Sequence, residues 1–229
     1  MLGLCLQTQA FEVPKLTGPV MDQVGLLSPQ AKAQLEQSLY QFQQSQKIQI
    51  QVFVTQTLNN EAIESVAIQI FDKWKLGDEK LDTGLLFLIA PNEKKLRIEV
   101  GQGLEGVIPD ITAKRIISDI VTPYFKQGNF DQGVLEGVSS LQHFATSGNY
   151  DENLKAAPVQ NKKSNGGSGA WVFLILLGLW IIIFIISPTT GLYILSSFLS
   201  GGRGGGSGRG GGWSGGGGSS SGGGASGGW

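Results

Sequence analysis

The chain has 229 residues, 35 of them glycine, and a formal net charge of −1. Neither glycine nor charge is evenly spread: residues 201–229 hold 18 glycines, and all 18 acidic residues lie at or before Glu152. A mildly acidic front part argues against a nucleic-acid partner, the single Cys5 excludes an internal disulfide, and the single His143 excludes a multi-histidine zinc site.

The N-terminus, residues 1–10, reads as the remnant of a signal peptide. Thr8-Gln9-Ala10 offers small residues at the −3 and −1 positions of a cleavage site, behind a short apolar stretch, Leu2–Leu6. Residues 11–147 carry the pattern of one folded domain. Ser28-Pro29 predicts a helix start, a serine cap with proline at the first helical position. Ala31, Leu35, Leu39 and Phe42 continue that helix. Residues 48–55 alternate as a strand, with Ile48, Ile50, Val52 and Val54 facing one way. Asn60 is placed to cap a second helix with the stripe Ile63, Val66, Ala67, Ile70, Phe71 and Trp74.

The run LLFLIA at 85–90 predicts a strand covered on both faces. Residues 91–94 predict a hairpin turn, and Leu96, Ile98 and Val100 the returning strand. Two helices follow, one through Ala113, Ile116, Ile117, Ile120, Val121 and Tyr124, the other through Val134, Val138, Leu141 and Ala145. The expected fold class is α/β: a single layered sandwich, a mixed β-sheet flanked by helices in the order αβαββαα.

Residues 148–170 form a polar linker. Residues 171–186, WVFLILLGLWIIIFII, open an uncharged stretch that predicts one transmembrane segment over 171–199, broken at Pro188. The Gly/Ser-rich tail, 200–229, has almost no aliphatic side chains to offset chain entropy and is expected to be disordered. A signal peptide would place the domain in the periplasm or lumen and leave the tail in the cytoplasm. Trp213 and Trp229 suit a tether or a membrane-surface contact.

The hairpin carries an inference about chemistry. If strands 84–90 and 95–101 are antiparallel neighbours, loops 76–83 and 101–110 share one end of the sheet. They contain Asp78, Glu79, Asp82, Glu105 and Asp110 on glycine-rich turns. Converging carboxylates suit a hard cation such as Ca²⁺; the same residues also serve as solvated loop charges, with Asp110 capping the helix after it. Arg97 and Glu99 share one face of the returning strand, as an ion pair or as lining of the site.

Gly101-Gln102-Gly103-Leu104-Glu105-Gly106 is a literal G-x-G-x-x-G. A nucleotide is not expected there, because Glu105 would face the pyrophosphate and no βαβ unit frames the motif. Haem and zinc are not expected either, and no catalytic residue is identifiable. His143 lies beside the apolar stripe of the last helix and reads as packing or surface.

Several blocks together resemble the TPM domain family. They are Val13-Pro14-Lys15-Leu16-Thr17-Gly18-Pro19-Val20, Asp22-Gln23-Val24-Gly25 with Leu27-Ser28, Trp74-Lys75-Leu76-Gly77, Asp82-Thr83-Gly84-Leu85-Leu86, residues 97–106 and Pro123-Tyr124-Phe125. They follow the family's order over about residues 12–146. Thr83 stands where asparagine is common. Bacterial members also resemble this chain beyond the domain, with a signal peptide, a transmembrane segment and a Gly/Ser tail ending in tryptophan.

The resemblance implies an α/β sandwich facing the periplasm or lumen and calcium binding at the acidic sheet end, with Asp78, Asp82, Glu105 and Asp110 as ligands. Arg97, Glu99, Gly101 and Gly103 would support that site. Plant relatives act in photosystem repair and have been assigned a weak acid phosphatase activity. The resemblance therefore implies either an accessory module that assists assembly, repair or turnover of a membrane protein complex, or a metal-dependent acid phosphatase.

Overall fold

The computed structural model describes residues 10–148 and 213–229. Ser28 caps the first long helix as its sequence predicts: its Oγ accepts from the Ala31 amide at 3.2 Å, and the helix runs Pro29–Gln46. In chain order the elements are β1 (Val20–Asp22), α1 (Pro29–Gln46), β2 (Gln49–Val54), α2 (Ile63–Trp74), β3 (Gly84–Ala90) and β4 (Lys95–Val100), then α3 (Asp110–Arg115), α4 (Thr122–Lys126), α5 (Phe130–Ser147) and β5 (Gly223–Gly228). The α/β class holds, but the order gains a strand at each end. β1 has three residues, too few to show an alternation.

The five strands form one sheet in the order β1-β2-β3-β4-β5. β1, β2 and β3 are parallel; β3 and β4 are antiparallel, pairing Leu85 with Val100 and Ala90 with Lys95. The two faces bury different sets. Val52, Val54, Leu85, Phe87, Ile89, Leu96, Ile98 and Val100 pack with α1 and the helices after β4. Phe53, Leu86, Leu88 and Ala90 pack against Val66, Ile70 and Phe71 of α2. Every residue of β3 is buried, which is why its sequence shows no alternation.

Two local expectations are corrected. Asn60 does not cap α2: it lies in the left-handed region at φ 65°, and the residue before the helix is Ala62. The single helix expected after residue 110 is three pieces, with a π-helical turn at Ile116–Val121 between α3 and α4. Pro123 lacks the amide needed to continue the helical ladder, and a local change of helical pitch accommodates it.

The largest correction concerns the tail. Residues 213–229 are ordered on the domain, and Gly223–Gly228 pair antiparallel with β4, from Gly223 opposite Val100 to Gly228 opposite Lys95. The strand needs no hydrophobic side chains of its own, because an edge strand supplies a full row of unpaired donors and acceptors. Trp213 and Trp229 supply the apolar burial, so they serve as anchors into the domain. Trp213 is 6% exposed, lies edge-on to Tyr40 at 4.9 Å and donates its indole N–H to Gln51 Oε1 at 2.7 Å. Trp229 stands edge-on to Phe125, with ring centres 4.8 Å apart.

No helix among the described residues is long and apolar enough to cross a membrane. The signal remnant up to residue 9, most of the linker, the predicted span 171–199 and the start of the tail lie outside the described residues.

Candidate functional site

The loops before β3 and after β4 meet at one sheet end, as the hairpin geometry predicts. Gly101 N donates to Gly84 O at 2.8 Å and Gly103 N to Asp82 O at 3.3 Å. The motif glycines have a steric role in that contact. A Cβ on Gly101 would lie 2.3 Å from Asp82 O, and one on Gly103 1.7 Å from Leu81 O. The first two glycines of the G-x-G-x-x-G therefore let one loop press against the other, whereas a Cβ on Gly106 would meet nothing within 4 Å.

The predicted acidic residues share this end but do not converge on a common point. Asp78 Oδ1 accepts from the amides of Lys80 and Leu81, closing its own turn. Asp82 Oδ1 accepts from both the amide and the hydroxyl of Ser219, at 2.6 and 2.9 Å. Glu105 Oε1 accepts from the Ser221 hydroxyl. Asp110 is the first residue of α3, and its Oδ1 accepts from Gly224 N at 2.8 Å in place of capping the helix. Three of the four proposed metal ligands thus hold the tail. Among the described residues no group of three or more His, Cys, Asp or Glu side chains is placed to hold a metal ion. Calcium takes six to eight oxygens, and Asp82, Glu105 and Asp110 each direct one oxygen to the docked tail.

Arg97 and Glu99 form a buried pair on the α2 side of β4. Arg97 reaches Glu99 Oε2 through Nε at 2.6 Å and through a terminal nitrogen at 2.5 Å. The guanidinium also donates to Ser226 Oγ at 3.1 Å and Gly222 O at 3.3 Å. Ser220 Oγ donates to Glu99 Oε1 at 2.7 Å. The pair is therefore part of the tail's seat. Burial pushes the Glu99 carboxyl above its ordinary value, while Ser220 and then Arg97 hold it down. Glu64 on α2 is shifted the other way, mainly by a hydrogen bond from Ser226.

The Glu99 shift has a measurable consequence. Its folded value is raised, so the contribution it makes to stability is fully present below the ordinary value of 4.5 and is lost as pH rises through the raised one. Against the parent, Glu99→Gln is expected to gain relative stability as pH rises across that interval and to show a constant difference outside it. Urea midpoints of both proteins from pH 4 to pH 8 check this.

Sequence reasoning missed the tail's half of this site. Ser219, Ser220 and Ser221 each meet a different carboxylate, and Lys114 Nζ donates to Ser226 O at 2.9 Å. The one available signal was the tripeptide of serines within a glycine run. His143 lies exposed on α5, beside Phe144. Beside the docked tail an open depression of about 600 Å³ is lined by Glu105, Pro109, Asp110, Ile111, Ser221 and Gly222.

The chain matches the TPM domain over residues 20–144. The N-terminal domain of a protein from P. gingivalis, solved by solution NMR, is similar at 31% identity and a TM-score of 0.52, over 56% of this chain and 82% of that one. The BA42 protein of the psychrophilic bacterium Bizionia argentinensis shares 19% identity at a TM-score of 0.45, over 59% of this chain and 92% of that one. No curated protein matches.

Proposed function

The chain belongs to the TPM domain family, and on that premise we propose that it is a membrane-anchored accessory module that holds protein segments. Its role would be to assist assembly, repair or turnover of a membrane protein complex. One observation carries this reading. At the acidic sheet end, Asp82, Glu99, Glu105 and Asp110 all accept hydrogen bonds from main-chain amides or serine hydroxyls of a polypeptide. That is the chemistry of chain recognition. The uncharged stretch 171–199 supports the anchor.

Domain and tail are best placed together on the extracytoplasmic side. The pairing of the tail along the whole of β4 supports a shared compartment. This favours an even number of crossings over the single crossing suggested by hydropathy.

The second reading is a metal-dependent acid phosphatase, in which Asp82 or Asp110 would orient phosphate and water. The open depression beside Glu105 and Asp110 is the observation that favours it. The experiment is purification of the full chain from native membranes, with phosphatase assays on the same preparation with and without EDTA. The proposal expects a defined membrane complex to co-purify and no metal-dependent turnover. Metal-dependent turnover lost in Asp82→Asn and Asp110→Asn would replace it with the second reading. In a Cys5→Ser background, single cysteines at Lys126 and Gly208 are both expected to label from outside the cell; labelling of only one contradicts the shared side.

A further inference from the structure

We propose that the acidic sheet end and the open edge of β4 form a binding site for a glycine-rich, serine-containing strand ending in tryptophan, with residues 213–229 as its resident occupant. This rests on the accessory-module reading and names the chemistry such a module recognises.

Covering an exposed strand edge is a common device against aggregation, and it accounts for β5 alone. It does not account for residues 213–221. These cross the end of the sheet instead of following an edge, past Trp74, Lys75 and the Asp78 turn, to reach Asp82 and Glu105. Four selections act along that path, and each reads a different property of the strand.

The first selects for backbone. The β4 ladder pairs six consecutive positions through main-chain groups. The second selects for glycine by close approach. A Cβ at Gly215 would sit 1.7 Å from Trp74 O, at Gly218 2.1 Å from Leu76 O, and at Gly224 2.0 Å from Ile98 O. Gly224 also has φ 129°, which side chains rarely adopt. A strand carrying side chains at these positions does not enter. The third selects for hydroxyls: Ser219, Ser220 and Ser221 donate to Asp82, Glu99 and Glu105. Carboxylates that meet neutral hydroxyls and amides disfavour an acidic strand by like-charge repulsion. The fourth is the aromatic seat for Trp229 on Phe125 and Phe130.

The site so described takes a free strand of the same class when its own tail is displaced. In the parent chain a free strand competes with a tethered one, whose tether raises its effective concentration at the site. Release of the tail is therefore the condition for binding in trans.

The test uses the full chain with Gly215→Val and Gly224→Val, which keeps the domain sequence intact. A synthetic, fluorescently labelled peptide of residues 213–229 is titrated into this variant and into the parent, read by anisotropy. The released variant is expected to bind at least ~10-fold more tightly than the parent, whose own tail competes. The peptide carrying valine at its Gly224 position is expected to show no saturable binding. Equal binding by parent and variant, equal binding of the two peptides, or no binding by a variant whose circular dichroism shows a folded domain would each overturn the proposal. A tail that stays docked with valine at both positions, judged by unchanged tryptophan emission, overturns it as well. As a second variant, Trp213→Ala with Trp229→Ala releases the tail without adding bulk and carries the same expectation. Failure to co-purify a membrane complex leaves this titration unaffected, so the two readings fail separately.

Discussion

Arg97→Leu alone is expected to lower the unfolding free energy by about 3–5 kcal/mol, because it leaves a charge buried without its partner. The Glu99 side chain is fully enclosed, and two nitrogens of Arg97 lie within 2.6 Å of its Oε2. Removing Arg97 leaves Ser220 as the remaining donor to that carboxylate. Desolvation already raises the Glu99 carboxyl, and loss of the guanidinium raises it further. The variant's stability is therefore expected to fall more steeply than the parent's as pH rises from the acid range toward neutrality. The double variant Arg97→Leu, Glu99→Leu removes both charges and is expected to recover most of the loss, since replacing a buried pair by apolar side chains is often close to neutral. Chemical denaturation of the parent, both single variants and the double variant gives the coupling directly. Two single losses that add to the double one would show that the pair is not coupled in the fold.

Gly224→Val is expected to detach the tail while leaving the sheet of β1 to β4 folded. The substitution meets two obstacles at one residue, a left-handed backbone and the Ile98 carbonyl 2.0 Å from the new Cβ. Neither is relieved by a side-chain rotation, because both lie in the main chain. With the strand displaced, Trp213 leaves its enclosure beside Tyr40 and Gln51, and Trp229 leaves Phe125. The emission of the full chain is expected to shift to longer wavelength. Gly222→Ala is the weaker control: its φ of 89° is also left-handed, but its nearest neighbour is Ile68 Cδ1 at 3.8 Å, so it carries backbone strain without a clash. A red shift in Gly224→Val with a smaller one in Gly222→Ala supports the ladder as described. Equal effects would show that backbone strain, and not close approach to β4, governs docking.

The sequence exposes those parts of the fold that side-chain burial dictates. The α2 stripe, the LLFLIA run and the Leu96, Ile98, Val100 alternation are legible because each buries a face. The hairpin turn between the last two then brings loops 76–83 and 101–110 together, which only required counting strand directions. Where backbone and not side chains decides, the sequence is silent. β1 is three residues long and joins β2 through main-chain bonds. The π-helical turn before Pro123 changes hydrogen-bond partners without changing the apolar pattern.

β5 is the strongest case. Its sequence, GGASGG, has no hydrophobic period and every compositional mark of disorder. It is ordered because β4 offers a ladder, because glycine alone permits the close approach, and because Trp213 and Trp229 anchor the two ends. The candidate site was half legible for the same reason. The acidic residues announce themselves by charge, whereas the tail groups that meet Asp82, Glu99, Glu105 and Asp110 are three serines and one glycine amide in a glycine run. Without those partners the carboxylates suggest a cation. With them, Asp82, Glu105 and Asp110 each accept a hydrogen bond from the tail.

The account stands on the tail being seated on β4 and the acidic loops in the intact protein. Amide hydrogen exchange of the full chain, resolved to the peptides covering residues 213–229, tests this most directly. The account predicts that the amides of the β5 ladder and of Ser219 exchange slowly, as hydrogen-bonded groups do, and that those in β4 share their protection. Exchange of the whole tail at the rate of a free peptide, with β4 protected on its β3 side alone, would contradict it.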